Sequence, residues 1–368
     1  NYVIKTKDSK VYLRVGDKSK LLNHEQIIQL EYDKGERRFE DLVVEESTFE
    51  DVDIKLLSKY KEILNTNLSL EEILEARALM KKGHLTYAGI LLFGKFPTKY
   101  LPNARVRLLK FEGNRMETGK RLNIIKEINY ENAIPRIIED IKREMHSQLR
   151  DFQYLAEDGV FKTIPEYPEF PWFEGIVNAI THRNYSLQGD CIRISLYDDH
   201  LEIFSPGKLP NIVTLENMKY TRYSRNPRIA RVLTEFGYVK ELNEGVKRIY
   251  DEMQESFLKD PIYTEPNSSS VLLTLENSIV SRKARIEENR NTIFDPTTLP
   301  EKQLLVYGII SSHPGLNAKQ ISEMLTLKKS SIETAIKERY GSYDEVKFAY
   351  LHIVENKWKE EDYKDLFE

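Results

Sequence analysis

The sequence predicts an α+β protein that is built from more than one domain. Its 368 residues exceed the roughly 100–200 residues of a typical domain. Long stretches with apolar residues at helical spacing alternate with short segments in which apolar residues recur with period two. Hydrophobic residues make up 40% of the chain and charged residues 31%, which is typical of a protein with a packed core rather than a disordered one.

Residues 1–45 combine a strand pattern with a short helix. Residues 11–15 read as a strand before Gly16, and Ile27, Ile28 and Leu30 share one helical side. The first twenty residues hold six Lys or Arg against two Asp, a balance of +4. Because so short a segment buries little core alone, we expect the end of a domain whose start is absent. An ordinary solvated hairpin is the alternative.

Residues 46–167 and 168–276 alternate helices and strands. In the first part the periodicity predicts helices between 53 and 93, a strand at 104–111 and a long amphipathic helix at 131–149. In the second part it predicts a helix at 169–182 and a hairpin formed by 192–196 and 201–203 around a turn. Helices at 228–236 and 245–257 and a strand at 271–275 complete the pattern.

The remaining chain separates into a linker and a small helical module. Residues 277–299 are polar, charged and rich in turn formers at their end, so we expect a linker. Residues 300–368 contain three short helical patterns, at 304–310, 318–325 and 330–339. The second and third have helix-turn-helix spacing, as in a winged helix.

Several classes of protein are excluded by composition. The single cysteine, Cys191, excludes a disulfide framework and a zinc site built on several cysteines. No run approaches 18 apolar residues, so we expect no membrane contact and a cytoplasmic protein. The net charge of −4 excludes a globally basic nucleic-acid coat, although not a local basic face. The chain opens at Asn1 without a signal peptide, so we expect a fragment or a processed chain.

The helix at 169–182 carries the strongest candidates for chemistry. Glu174 and Asn178 are four residues apart and share one helical face, where a carboxylate can polarise water and an amide oxygen can ligate Mg²⁺. A solvated Glu and a capping Asn are the alternative. His182 and Arg183 at the helix end suit either phosphate contact or stabilisation of the helix dipole.

Three later segments add weaker signals in a fixed order. Ser205, Pro206 and Gly207 form a turn that either lets backbone approach a ligand or is a plain type II turn. Arg225 suits phosphate contact or solvation, and Asn226 before Pro227 is a candidate helix N-cap. Gly245 opens a helix whose free backbone N–H groups suit an anion.

In this order the segments resemble a known family. Residues 168–276 are similar to the Bergerat-type (GHKL-type) ATPase domain of gyrase, histidine kinases and MutL, and more closely to its RecG-like C-terminal branch. The residues that carry the resemblance fall in four groups, namely Glu174 to Tyr185, Ser205 to Pro210, Ser224 to Pro227 and Gly245 to Ile249. Residues 85–94 also match the segment that precedes this domain. Residues 12–16 resemble the end of a Schlafen AlbA-type DNA-binding domain.

The resemblance implies ATP and Mg²⁺ as cofactors and assigns roles to residues. Glu174 would be the general base and Asn178 the Mg²⁺ ligand, while Ser205, Pro206 and Gly207 would lie on the adenine side. Residues 211–227, which include Arg225 and Asn226, would form a lid. Gly245 would present backbone to the phosphates, and His182 and Arg183 would contact the nucleotide.

Two departures from the family pattern bear on activity rather than fold. The first glycine box of active relatives holds an Asp that reads the adenine amine, whereas residues 204–207 hold no acid. In the second box Asn243 stands where the family has its first glycine. A side chain there would crowd the phosphates, so hydrolysis is less expected than binding.

The C-terminal module predicts contact with duplex DNA. Its reading helix and the residues beside it carry a cluster of basic and hydroxyl side chains, namely Lys319, Lys328, Lys329, Ser330 and Ser331. Such modules also serve as protein-interaction or dimer-forming parts, so that alternative stays open.

These observations lead to one functional expectation and two alternatives. We expect an ATP-binding, DNA-binding transcriptional regulator, acting as a homodimer, in which nucleotide occupancy modulates DNA affinity. One alternative is an ATP-hydrolysing DNA-processing or phage-defence protein, although the chain has no Walker A sequence. The other is a scaffold with a vestigial nucleotide site.

Overall fold

The computed structural model describes residues 3–15, 17–155, 160–210, 212–221, 223–239, 244–277 and 318–325. The chain divides into two compact units, Asn1–Arg285 and Ile286–Glu368. None of the helices in the described ranges is long and apolar enough to cross a membrane.

The first unit begins with a hairpin and several helices. Their bounds are β1 Tyr12–Val15, β2 Lys18–Leu21, α1 His24–Asp33, α2 Ile54–Leu64, α3 Leu70–Ala76, β3 Met80–Lys81, β4 His84–Leu85 and α4 Tyr87–Phe93. The predicted strand at 11–15 and the helix that follows it are both present. A small core of Val3, Val11 and Leu22 holds this hairpin against α1.

The rest of the first unit contains the main sheet and the helices that pack on it. Their bounds are β5 Val106–Phe111, β6 Ile124–Tyr130, α5 Ile134–Gln148, β7 Asp151–Leu155, β8 Phe161–Pro165, α6 Glu169–His182, β9 Ile192–Leu196, β10 His200–Pro206, α7 Pro227–Glu235, α8 Gly245–Glu255, β11 Ile262–Thr264 and β12 Ser270–Glu276. In the second unit the structure describes one helix, α9 Ala318–Leu325.

Six of the strands form one mixed sheet, which confirms the predicted α+β class. Their order is β11-β12-β10-β9-β5-β6, and only the β5–β9 pair is parallel among the pairs described. In this register Ser205 at the end of β10 lies opposite Val271 on β12. The sheet therefore brings the end of β10 beside the start of β12.

Helix α6 is the central helix of this unit. It packs against β9 and β10, and α5 and α8 pack on its sides. Its inner side is fully buried because apolar residues recur at helical spacing, namely at Trp172, Ile176 and Ile180. The predicted bounds of this helix, 169–182, agree with the structure. The helix thus holds Glu174, Asn178 and His182 on successive turns.

Candidate functional site

A cavity of about 140 Å³ lies between α6, the ends of β10 and β12, residues 207–223 and the start of α8. Its walls are mainly apolar, formed by side chains such as Ile203, Val271 and Leu273. Seven polar residues also line it, namely Asn178, His182, Ser205, Lys208, Thr221, Tyr223 and Tyr263. Ligand pockets usually measure roughly 300–1,000 Å³, so this cavity fits one ring system rather than a complete large ligand.

One end of the cavity is formed by the middle of α6 and the start of α8. The Asn178 side-chain amide donates a hydrogen bond of 3.2 Å to Oε1 of Glu174. A Cβ added at Gly245 would overlap that same oxygen. A side chain at this position would therefore require the Glu174 carboxylate to move. Asn178 lines the cavity directly, whereas Glu174 and Gly245 stand behind it.

The environment of Glu174 favours its protonated form. Burial raises the pKa of the Glu174 carboxyl above its usual range, while the Asn178 hydrogen bond and the positive charge of Arg248 oppose that rise. Arg248 itself stacks over Phe170 at 3.9 Å and donates to Glu252 at 2.8 Å. A carboxylate with a raised pKa is a better proton acceptor near neutral pH, as a general base requires.

A magnesium ion fits this end of the cavity only together with an anionic ligand. Since the Asn178 amide nitrogen donates to Glu174, the amide oxygen is the atom left to ligate an ion. Within the described ranges no group of three or more His, Cys, Asp or Glu side chains could hold a metal. Mg²⁺ is commonly held by few protein ligands plus phosphates and waters. Asn178 alone therefore suits a phosphate-bound Mg²⁺.

The other end of the cavity lies where β10 turns back under α6. The Ser205 hydroxyl donates to the carbonyl oxygen of Ala179 at 2.9 Å. Gly207 has φ +110° and a Cβ there would overlap Asn184, so the turn approaches the residues after α6 as only glycine allows. Pro206 does not line the cavity, and its carbonyl accepts from the Asn184 backbone at 2.9 Å.

His182 is the ionisable group at this end. Removal from water is the main cause that lowers the pKa of His182 to about 4, and the charge of Arg225 adds to it. The ring is therefore neutral at pH 7. Its Nδ1 atom is buried and has no hydrogen-bond partner within the described part of the chain.

Arg183 and Asn226 do not reach the cavity. The Arg183 guanidinium is 2% exposed, lies over the Tyr185 ring and donates to three backbone carbonyls, those of Asn103, Leu187 and Asp190. Asn226 occupies the predicted N-cap position of α7, yet it makes no capping bond there. Its amide instead donates to the carbonyls of Thr181 and Arg183. Both side chains hold the end of α6 in place.

Residues 212–221 and 223 contribute cavity-lining side chains that the sequence did not single out. Met218, Thr221 and Tyr223 line the cavity, and Lys219 lies 3.3 Å above the ring of Tyr250 on α8. Arg225 donates to the Lys208 carbonyl at 2.6 Å, which ties the residues before α7 to the turn after β10. The only available signal was the position of Tyr223 just before the Ser224-Arg225-Asn226 motif.

A further unexpected residue is Glu40, which is fully buried at the start of α7. Its carboxylate accepts from the backbone N–H of Arg228 at 2.8 Å and of Ile229 at 3.1 Å. Burial raises the pKa of Glu40 to about 7. Because 188 residues separate Glu40 from Arg228, no local pattern could predict this cap.

The predicted DNA-contacting residues fall mostly outside the described ranges. Lys319 belongs to α9, whose bounds match the predicted helix at 318–325, but its side chain is not described. Lys328, Lys329, Ser330 and Ser331 lie outside the described residues, as do Asn243 and residues 278–299 of the predicted linker at 277–299.

Comparison with known proteins gives a family match within this region. Residues 189–275 match the family described as "Putative ATP-dependent DNA helicase recG C-terminal". This match confirms the prediction of a GHKL-like ATPase-type domain. No curated protein matches the chain in sequence.

Among solved structures, the chain is similar to the DIP2311 protein from Corynebacterium diphtheriae. The TM-score is 0.55 and the identity 18%, and the likeness covers 92% of this chain and 67% of that chain. At this identity the likeness shows a shared fold.

Proposed function

We propose that residues 174–249 bind ATP with Mg²⁺ and that the chain is a DNA-binding transcriptional regulator whose DNA affinity depends on nucleotide occupancy. The observation that carries the proposal is the cavity itself, since Asn178 lines it and Glu174 and Gly245 meet directly behind it. The ATPase-type family match over 189–275 supports a nucleotide as the ligand.

In this proposal the two ends of the cavity divide the nucleotide between them. The apolar walls and Ser205, Gly207 and His182 receive the base, whose flat ring system suits the small volume. The phosphates extend toward Asn178, which holds Mg²⁺, and toward the backbone at the start of α8. The positive end of a helix dipole favours phosphate at that position.

Three contacts supply a route from the cavity to the N-terminal region. Tyr223 lines the cavity, and its hydroxyl lies so close to Gly35 that a Cβ there would sit 2.9 Å from it. The Ser186 hydroxyl lies 3.2 Å from the side-chain oxygen of Gln29 on α1. Glu40 caps α7 directly after the lid. A ligand that moves Tyr223 would therefore shift the packing of α1, which carries the basic hairpin.

The DNA part of the proposal rests on two basic regions. Strand β2 is exposed along its whole length and carries Lys18 and Lys20, within the segment 1–20 that has a balance of +4. The second region is the predicted winged helix with Lys319, Lys328 and Lys329. A cytoplasmic homodimer would place two such modules on the half-sites of a palindromic operator.

Fluorescence anisotropy with duplex DNA at several salt concentrations tests this function. We expect DNA affinity to change when ATP and Mg²⁺ are added, and to fall with salt at roughly −0.9 in log–log slope per phosphate contacted. Replacing Lys328 and Lys329 by Ala should flatten that slope by about two units. The matched control replaces the exposed Lys55 and Lys82 by Ala and should leave the salt dependence of DNA affinity unchanged. An unchanged slope in the first variant would make the module a protein-interaction part.

Hydrolysis of ATP is a second candidate function, favoured by the raised pKa of Glu174 beside Asn178. Steady-state phosphate release should then be measurable with the wild type and lost in Glu174→Gln. ATP binding without phosphate release would favour the transcriptional regulator. The absence of both ATP binding and phosphate release would favour a scaffold with a vestigial nucleotide site.

A further inference from the structure

We propose that Ser205 selects the base of the bound nucleotide by accepting a hydrogen bond from an exocyclic amine, so that the cavity takes adenine and rejects a purine with an oxygen at that position. This inference rests on the proposed nucleotide-binding function. It concerns a hydroxyl that stands where no acidic side chain is present to read the base.

The direction of the Ser205 hydroxyl is set by the end of α6. The last four carbonyls of a helix have no partner within the helix. Here side chains supply those partners, since Ser205 donates to Ala179 at 2.9 Å, Tyr185 donates to Ile180 at 3.0 Å and Asn226 donates to Thr181 at 2.9 Å. The single proton of the Ser205 hydroxyl is therefore committed to the Ala179 carbonyl.

A hydroxyl whose proton is committed can only accept a second hydrogen bond. Ser205 and Ala179 both line the cavity, so the remaining lone pairs of Ser205 are offered to a ligand there. The group that meets them must be a donor. The adenine amine is a donor, whereas the oxygen at the same ring position of hypoxanthine or guanine is an acceptor and would face another acceptor.

The other neutral side chains near the base adapt to either kind of ligand. His182 is neutral and can place its proton on either ring nitrogen, so it can donate or accept. No hydrogen bond within the described residues fixes the hydroxyls of Thr221 or Tyr223. Among these neutral groups Ser205 alone has a hydrogen bond in the described residues that fixes its direction, so it discriminates between an amine and an oxygen. The Lys208 ammonium also lines the cavity but is exposed to solvent.

The size of the effect follows from a buried acceptor left without a donor. Such a mismatch weakens binding by roughly ten- to a hundred-fold. ITP is the sharpest probe, because it replaces the amine of ATP by an oxygen. CTP also carries an amine but is smaller, so it tests whether the apolar walls require a purine.

The experiment measures the affinities of ATP, ITP and CTP, each with Mg²⁺, for the full chain and two variants. Ser205→Ala removes the acceptor, so it should weaken the binding of ATP and leave the binding of ITP unchanged. The ratio of ATP affinity to ITP affinity should therefore fall at least tenfold. The matched control is Tyr185→Phe, which removes the neighbouring hydroxyl cap of α6 away from the cavity. It should lower the melting temperature and leave the preference intact, which separates base selection from damage to the helix end.

Each outcome decides the inference. Equal affinity of the wild type for ATP and ITP overturns it, as does a preference that survives in Ser205→Ala or that Tyr185→Phe removes equally. If CTP binds as tightly as ATP, the cavity does not require a purine and the assignment of adenine as its base is overturned. If no nucleotide binds the wild type, the proposed function fails first. Binding without base preference leaves that function standing and removes Ser205 as the selecting residue.

Discussion

The middle and the C-terminal end of α6 meet the cavity with different chemistry. The middle of the helix presents a carboxylate and an amide, Glu174 and Asn178, and depends on the missing side chain of Gly245 for its close contact with α8. The C-terminal end presents the neutral His182 and the committed hydroxyl of Ser205. Arg183, the strong cation of that end, is turned away into the backbone.

In the proposed function, this difference lets one helix serve two parts of a nucleotide. A charged base end would pay a desolvation cost against the apolar walls, whereas neutral groups at fixed positions hydrogen-bond a base at low cost. The phosphate end needs a metal ligand and a proton acceptor, and these are the groups that α6 places there. The guanidinium groups of Arg183 and Arg225 donate instead to backbone carbonyls.

The largest effect is expected from Arg183→Ala. Removing this buried guanidinium leaves three carbonyls without a donor, so the free energy of unfolding should fall by about 3–5 kcal/mol. Urea denaturation measures the loss, with the exposed Arg231→Ala on α7 as a control that should change it by about 0.5 kcal/mol or less. If Arg183→Ala were stable but had lost its affinity for ATP, Arg183 would be a ligand contact rather than a structural residue. That result would contradict the contrast between the two parts of α6.

The second-largest effect is expected in the pH dependence of stability that His182 causes. Because the pKa of His182 is lowered to about 4 in the fold, the neutral ring is favoured there. The stability it contributes is complete above about pH 6.5 and is lost as pH falls toward 4, at most on the order of 3 kcal/mol. Between pH 7 and pH 4.5 the free energy of unfolding should fall less steeply in His182→Gln than in the wild type. The exposed His146→Gln on α5 is the control, and an identical slope in wild type and His182→Gln would contradict a neutral base end.

A smaller effect is expected from Gly245→Ala. The new Cβ would displace the Glu174 carboxylate and cost about 2 kcal/mol of stability. In the double variant with Glu174→Ala the cost should shrink by about 1 kcal/mol, because the overlapping oxygen is gone. Gly189→Ala, where a Cβ meets nothing within 4 Å, is the matched control. Simple additivity in the double variant would show that the two residues do not meet.

The smallest effect separates the two residues of the phosphate end. Asn178→Ala should weaken the Mg²⁺-dependent part of ATP affinity about tenfold, or about 1.4 kcal/mol, while Glu174→Ala should spare binding. Calorimetric titrations with and without Mg²⁺ measure both. Equal losses in both variants would mean that α6 had been damaged instead.

The elements that sequence patterns predicted well are those with one clear apolar side. Helix α6 and the β9–β10 hairpin are examples, since burial on one side imposes a strict period. Strand β6 was not predicted, because Ile125 is exposed on this edge strand while Lys126 reaches Glu144 on α5. Its apolar residues therefore do not follow period two.

The roles of the site residues were only partly predictable from the sequence. The spacing of Glu174 and Asn178 places them together on any helix, and the structure brings them within hydrogen-bonding distance. Arg183 donates to the backbone carbonyls of residues 103, 187 and 190. Glu40 caps α7 by accepting from the backbone of Arg228, which is 188 residues away. Such long-range partners leave no trace in local spacing.

Isothermal titration of ATP into the full chain at pH 7, with and without Mg²⁺, tests the central claim most directly. A cavity with a base end and a phosphate end predicts saturable heat at one site per chain and a rise in affinity when Mg²⁺ is present. The absence of both binding heat and thermal stabilisation with every adenine nucleotide would contradict it.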